Sequence, residues 1–150
     1  MAEVFFYHLE AQPLKQVLPS IVARALERQW RMVIETADPA RLNAISEMLW
    51  GAEDVAFLPH GVEGDADADR HPVWLTTTSS NPNNATVRVY LDGAMPLDLQ
   101  ALNRAVLMFD GNDEAALQSA RAEWKKRKSE GHEISYWKQD ENGKWKNQAT

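Results

Sequence analysis

Segments that favour strands alternate with segments that favour helices along most of the chain, and this alternation constrains the fold more than any other feature. The strand segments are short and rich in β-branched and aromatic residues, whereas the helical segments repeat apolar residues every three or four positions. Such alternation predicts a three-layer α/β fold with a mainly parallel sheet. The predicted strands are residues 4–9, 31–35, 72–77, 86–91 and 104–109, and the predicted helices fall within residues 14–30, 38–49 and 113–130.

Turn-forming and helix-breaking residues refine this pattern in the first half of the chain. Pro19 interrupts the first helical segment, which predicts either a kink or a helix that begins near Pro19. Asp38 followed by Pro39 is a typical N-cap and first helical residue, so we expect the second helix to begin there. Residues 61–71 are polar and acidic and predict a solvated loop.

The C-terminal part of the chain predicts a long helix followed by a hairpin. Asn112 or Asp113 is the expected N-cap of that helix, and Gly131 is the expected residue that ends it. Residues 134–139 and 144–146 flank a Glu-Asn-Gly turn and predict two antiparallel strands. This hairpin would give the sheet an antiparallel edge.

The length and composition favour a single domain in the cytoplasm. A chain of 150 residues without internal repeats or a linker fits one domain, residues 1–150. Cysteine is absent, which excludes disulfides, thiol nucleophiles and cysteine-bound zinc in this sequence. No apolar segment approaches the ~20 residues that a membrane span needs, and the N-terminus is unlike a signal peptide. We therefore expect a cytoplasmic protein that does not contact membranes.

The charge is acidic overall but unevenly distributed. The net charge of −6 argues against a protein that coats nucleic acid by electrostatic attraction alone. Residues 1–111 carry 8 basic and 15 acidic side chains, whereas residues 112–150 carry 8 and 7. Five of the basic residues lie within Arg121–Lys128. The chain is acidic with one basic segment.

The sequence lacks the glycine patterns by which α/β enzymes bind nucleotide phosphates. Neither GxGxxG nor GxxxxGK[ST] occurs, and the turn after the first strand, residues 10–13, contains a carboxylate and no glycine. The segment 65–69 is similar to a calcium-binding loop, but Arg70 and Thr76 stand where such a loop needs Gly and Glu. We predict no cofactor and no metal.

Three polar residues are candidates for a catalytic role, and each has a simpler explanation. His60 follows a proline in a loop and is more consistent with a hydrogen-bonded structural histidine. Asp92 and Asp110 end predicted strands, where catalytic carboxylates of α/β enzymes often lie. Each also precedes a glycine, and Asp-Gly turns explain them without catalysis.

The last predicted helix brings basic and aromatic residues together. Arg121, Trp124, Lys125 and Lys128 follow one another at intervals that place them on one face, beside an apolar stripe that would pack on the sheet. This is either an ordinary surface helix with cations near its C-terminus, a receptor for an acidic peptide with an apolar end, or a site for single-stranded nucleic acid. The single aromatic residue and the acidic remainder of the protein favour a peptide over nucleic acid.

A second candidate surface comprises Trp50 and Phe57, two large aromatic residues near the end of the second predicted helix. They belong either to the core or to an exposed apolar patch for a partner protein. The sequence alone favours the core.

Several short motifs together resemble the chi subunit of bacterial DNA polymerase III. They occur in the order of that family and extend over nearly the whole chain. They are FYHLE (Phe6–Glu10), LW…DVAFLPHG (Leu49–Gly61), the strand Pro72–Thr76, VYLDG (Val89–Gly93), MFDGND (Met108–Asp113) and AR.EWK…GH..SYWKQ…GKW (Ala120–Trp145).

The resemblance implies a noncatalytic accessory protein of the clamp-loader assembly, with a Rossmann-like fold that lacks a nucleotide site. Such proteins link the polymerase machinery to single-stranded DNA-binding protein by holding its acidic C-terminal tail. They also bind the psi subunit, or in some bacteria a helicase-like repair protein, through a different face. The chain continues past the usual end of the family, in a variable extension at about residues 143–150.

Transferred to this sequence, the resemblance implies a tail-binding site at Arg121, Trp124 and Lys125, with Lys128 on the same face. It implies a psi or helicase contact at Trp50 and Phe57. Two alternatives remain: an α/β enzyme that acts on a nucleotide or phosphate, and a protein that binds single-stranded DNA directly.

Overall fold

The computed structural model describes residues 3–9, 14–51, 58–96, 99, 102–139 and 144–147. Within these ranges the predicted alternation gives eight strands and three α-helices. In chain order they are β1 (Glu3–Leu9), α1 (Leu14–Glu27), β2 (Met32–Thr36), α2 (Leu42–Trp50), β3 (Gly61–Val62), β4 (Val73–Thr76), β5 (Val87–Leu91), β6 (Arg104–Asp110), α3 (Glu114–Ser129), β7 (Glu133–Gln139) and β8 (Trp145–Asn147).

All eight strands form one sheet in the order β3-β4-β2-β5-β6-β1-β7-β8. Every neighbouring pair is parallel except β7 and β8, which are antiparallel. In the hairpin Trp137 is opposite Asn147 and Gln139 is opposite Trp145. The predicted three-layer α/β class, with a mainly parallel sheet and an antiparallel edge, is confirmed.

The two faces of the sheet are covered by different helices, and strand β1 shows how the side chains divide between them. Tyr7 packs against the apolar cluster that contains the buried residues of α1 and α2. Val4 and Phe6 point the other way, into a second cluster with Ala120 of α3. Because successive residues of a strand face opposite sides, α1 and α2 lie on one face of the sheet and α3 lies on the other.

The predicted helix starts are partly right. Helix α1 begins at Leu14 and contains Pro19 as a buried residue, so a start near Pro19 is wrong. Asp38 accepts a hydrogen bond from the backbone N–H of Ala40 and caps a short 3₁₀ turn, Pro39–Arg41, that leads directly into α2. The Asp-Pro signal therefore marks this helical region as expected.

The predicted loop at residues 61–71 contains more structure than its composition suggests. Gly61 and Val62 form β3, a two-residue parallel strand beside β4. The Asp65 side chain accepts a hydrogen bond from the N–H of Val62 at 2.8 Å. The expectation of a wholly solvated loop is wrong at this point, because two residues are too few to show a strand period.

Candidate protein-binding face on the last helix

The ends of helix α3 are defined by local signals in the sequence. Asp113 is the N-cap, and its side chain accepts hydrogen bonds from the N–H groups of Ala115 and Ala116. Gly131 follows the helix with a φ of 88°, a conformation that glycine adopts without strain. Both predicted ends are confirmed. The helix connects β6 to β7 and therefore runs antiparallel to them.

Helix α3 brings Arg121, Trp124, Lys125 and Lys128 together on one side, which we call the α3 face. The three cationic residues are exposed and Trp124 is half-buried. The Trp124 ring packs at the border of the second apolar cluster, and the Lys128 ammonium nitrogen lies 4.5 Å from its ring centre. An ammonium at that distance is attracted to the face of the indole ring. The α3 face therefore combines an apolar wall with cations around it.

Two cations of the α3 face have no ion-pair partner among the residues that the structure describes. Neither Arg121 nor Lys125 forms an ion pair or a side-chain hydrogen bond in the described ranges. Their charges therefore face solvent on a chain whose net charge is negative. Such groups attract an anionic partner at a low desolvation cost.

One basic residue of the predicted basic segment belongs to the protein interior instead. Arg127 is buried, and its guanidinium donates hydrogen bonds to Glu123 at 2.6 Å, to Glu130 at 3.0 Å and to the carbonyl of Pro96 at 2.6 Å. The basic segment is thus smaller at the surface than its composition suggests. Glu123 and Arg127, four residues apart on the helix, are a buried ion pair that the sequence analysis missed.

The apolar side of α3 also differs from the predicted stripe. Ala120 is buried as expected, whereas Ala116 and Leu117 are only half-buried. The indole N–H of Trp124 is buried and has no acceptor among the described residues. Because that nitrogen is not accessible from solvent, the surface of Trp124 available to a ligand is the carbon edge and face of the ring.

The second candidate surface is exposed at Trp50. This residue ends α2, and 55% of its surface is accessible, so the sequence-based preference for the core is wrong for Trp50. Its ring centre lies 4.3 Å from that of His60. The other candidate, Phe57, lies outside the described residues. An exposed Trp side chain that packs against a buried residue is typical of protein-interaction surfaces.

His60 is a structural histidine, as predicted. It is buried, and its Nδ1 lies 2.8 Å from the carbonyl oxygen of Leu58. A carbonyl can only accept, so Nδ1 carries the hydrogen and Nε2 accepts from the Ser46 hydroxyl at 2.8 Å. Burial lowers the pKa of His60 from its ordinary value, and the hydrogen bond to Leu58 partly opposes that change. His60 is therefore neutral near pH 7 and links α2 to the start of β3.

A cleft of about 880 Å³ opens at the carboxyl ends of β1, β5 and β6, where many α/β enzymes bind nucleotides. Asp92 and Asp110, both candidates for catalysis, lie there. The Asp92 side chain accepts from the Thr36 hydroxyl at 2.9 Å and lies 3.4 Å from Nε of Arg41. The Asp110 side chain accepts from the N–H of Asn112 at 2.9 Å. Both aspartates act as turn residues, and the cationic residue that lines the described cleft, Arg41, is paired.

The residues that the structure describes contain neither a metal-binding cluster nor a membrane-spanning helix. No group of three or more His, Asp or Glu side chains placed to hold a metal ion occurs among the described residues. Among the helices that the structure describes, none combines the length and the apolar character needed to span a bilayer.

Sequence comparison decides the family. A sequence model of the family described as "DNA polymerase III chi subunit, HolC" matches residues 1–135, about nine-tenths of the chain. The chain belongs to the DNA polymerase III chi subunit family. The resemblance to the chi subunit family is thus confirmed.

A curated relative supports the assignment to the chi family. The probable DNA polymerase III subunit chi of Rickettsia prowazekii (strain Madrid E) is 25% identical over 91 residues. Those residues cover 61% of this chain and 55% of the relative, so the chain spans about half the length of the curated relative it matches. The chi family match includes α3 and Trp50, whereas the end of β7 and all of β8 lie beyond it.

Proposed function

We propose that this chi-family chain is a noncatalytic adaptor of the replication machinery, and that the α3 face binds the acidic, aromatic-ended C-terminal tail of single-stranded DNA-binding protein. One observation carries the proposal. Arg121 and Lys125 are exposed beside the half-buried Trp124 and have no ion pair in the described part of the chain. They are available to carboxylates, and the ring is available to an aromatic side chain.

The chemistry of the α3 face suits such a tail. The guanidinium of Arg121 presents a planar set of N–H donors that can grip one carboxylate with two hydrogen bonds. Lys125 and Lys128 add positive charge on either side without fixing geometry, because an ammonium is a point charge on a flexible stem. Trp124 provides an apolar wall at the centre, where contacts contribute most to affinity.

Two rival functions have less support. Single-stranded DNA would need several stacking residues and a continuous basic groove, but the α3 face has one aromatic residue. A nucleotide-acting enzyme would need cations or backbone N–H groups for the phosphates in the cleft. The described lining of that cleft contains four aspartates and one arginine. Its excess of negative charge repels phosphate.

The decisive test is Arg121→Ala, measured by calorimetry with an acidic tail peptide that ends in an aromatic residue. We expect binding to weaken more than tenfold, because deleting one partner of a charge pair commonly costs ~2–5 kcal/mol and tenfold needs only about 1.4 kcal/mol. Lys126→Ala, also exposed on α3 but off the α3 face, is the matched control. Equal binding by wild type and Arg121→Ala would place the tail site elsewhere.

Two further readouts separate the roles within the α3 face. Lys125→Ala should weaken the peptide less than Arg121→Ala, because an exposed ammonium acts through screened attraction. Raising the salt concentration from low to physiological should weaken the wild-type complex, and Arg121→Ala should flatten that dependence. Trp124→Ala should also weaken binding. Because it removes packing against the second cluster, it can lower stability too, and the melting temperature of this variant must be measured together with its affinity.

A second binding surface at Trp50 is favoured by the exposure of its ring. We propose that Trp50, with Phe57, contacts a psi subunit or a helicase-like repair protein. Trp50→Ala should abolish capture of that partner while leaving tail-peptide affinity and melting temperature nearly unchanged, since more than half of the Trp50 surface is already in contact with water. A large fall in melting temperature, or normal capture by the variant, would contradict this role.

A further inference from the structure

We propose that the β7–β8 hairpin forms the second half of the tail site, with Lys138 and Lys146 binding acidic residues that precede the aromatic end of the peptide. This inference rests on the proposed function of the α3 face and extends it to a part of the chain beyond the family match. It predicts which part of the ligand each element recognises.

The register of the sheet places both lysines on the same side as α3. Ile134 and Tyr136 of β7 pack against the second apolar cluster, as Trp124 does, so Lys138 projects to that side as well. Lys138 is directly opposite Lys146 in the antiparallel hairpin, and opposite residues share a face. Trp145 gives an independent check, because it packs against the first cluster on the other side of the sheet. Its neighbour Lys146 must therefore face the α3 side.

The direction of α3 then sets the order of cations along the surface. Since α3 runs antiparallel to β7, its last turns lie near the start of β7 and its first turns lie near the end. Lys128 is therefore far from Lys138, and Arg121, about 10 Å earlier along the helix, lies nearer to it. A peptide bound to the α3 face would therefore leave it near Arg121 and continue towards the hairpin.

The distances suit a short extended peptide. Helix α3 contacts β6, β1 and β7, and β8 is the next strand outward from β7 in the sheet. Adjacent strands are about 4.8 Å apart, and an extended residue spans about 3.3 Å. About two extended residues therefore span the step from β7 to β8. A peptide whose aromatic end lies against Trp124 would place its upstream carboxylates over Lys138 and Lys146.

Two peptides with the same aromatic C-terminus test the inference by calorimetry. The short peptide carries acidic residues only next to its aromatic end, and the long peptide carries three additional aspartates upstream. Wild type should bind the long peptide three- to tenfold more tightly. The double variant Lys138→Gln/Lys146→Gln should lose that advantage and keep its affinity for the short peptide. The double variant Lys138→Arg/Lys146→Arg should retain it.

The controls distinguish failure of the hairpin from failure of the α3 face. Lys15→Gln changes an exposed lysine of α1 on the opposite face of the sheet and should leave both affinities unchanged. Circular dichroism melts verify that the Gln variants are folded. If wild type binds both peptides equally, or if the Gln double variant keeps the full preference for the long peptide, the hairpin has no role in binding. The proposed function of the α3 face is not affected by either result. If wild type binds neither peptide, the proposed function fails and the hairpin inference fails with it.

Discussion

Arg121 and Arg127 show how two arginines on one helix can have different roles. Arg127 is 4% exposed and satisfies Glu123, Glu130 and a backbone carbonyl, whereas Arg121 is exposed and has no ion pair in the described ranges. A buried charge that loses its partner is costly because its desolvation is no longer compensated. The structure thus predicts that one arginine stabilises the fold and the other is available to a ligand.

Arg127→Ala should lower the free energy of unfolding by about 3 kcal/mol, the cost of leaving a buried carboxylate without its partner. Urea denaturation followed by circular dichroism measures this change. Lys126→Ala, on the neighbouring exposed position, should change stability by less than about 0.5 kcal/mol. Similar free energies of unfolding for the two variants would show that burial of the Glu123 carboxylate does not require the ion pair with Arg127.

Among the elements, the junction between α2 and β3 has a pH-dependent link. His60 is buried between Ser46 and Leu58, and burial lowers its pKa; the charges of His71 and Asp65 act on it in opposite directions. In the unfolded chain a histidine has a pKa near 6.5 and takes up a proton first as the pH falls. The stability that His60 contributes is therefore complete above that pH and is lost as the pH falls from about 6.5 towards the folded-state pKa.

We expect the stability difference between wild type and His60→Gln to be largest near pH 7.5 and to shrink as the pH is lowered to 5. Denaturation with urea at several pH values gives this difference directly, and it cancels the contributions of the other histidines. A difference that stays constant with pH would show that His60 titrates alike in the folded and unfolded states.

The elements also show what local sequence signals can and cannot predict. The caps at Asp38 and Asp113 and the terminal hairpin were predictable because their signals lie within a few residues of the feature. Buried Arg88 was not predictable, since it lies in an apolar strand and its partner Glu35 is 53 residues away.

The candidate site likewise has one part that could be predicted from the sequence and one part that could not. The α3 face followed from helical spacing alone, whereas the exposure of Trp50 and the alignment of Lys138 with Lys146 depend on how separate elements pack. Spacing along one helix can be read from the sequence, but contacts between distant elements require the register of the sheet.

At the scale of the whole molecule, the three-layer α/β fold has an acidic cleft at the carboxyl ends of its strands, where many α/β enzymes bind nucleotides. Asp38, Asp92, Asp110 and Asp113 line the described part of this cleft, and Arg41 is engaged by Asp92. We expect no saturable ATP binding in calorimetry at millimolar nucleotide. Saturable binding that is abolished by Asp92→Ala or Asp110→Ala would instead support the enzyme alternative.

The placement of α2 and α3 on opposite faces of the sheet has a consequence for assembly. Ligands at Trp50 and at the α3 face would be separated by the sheet and its two packed layers, each about 10 Å thick, so neither would block the other. This chain would hold a partner bound at Trp50 and a partner bound at the α3 face close to each other. Their effective concentration can then reach the millimolar range. Modest affinities on each side would then suffice for a durable link between two large assemblies.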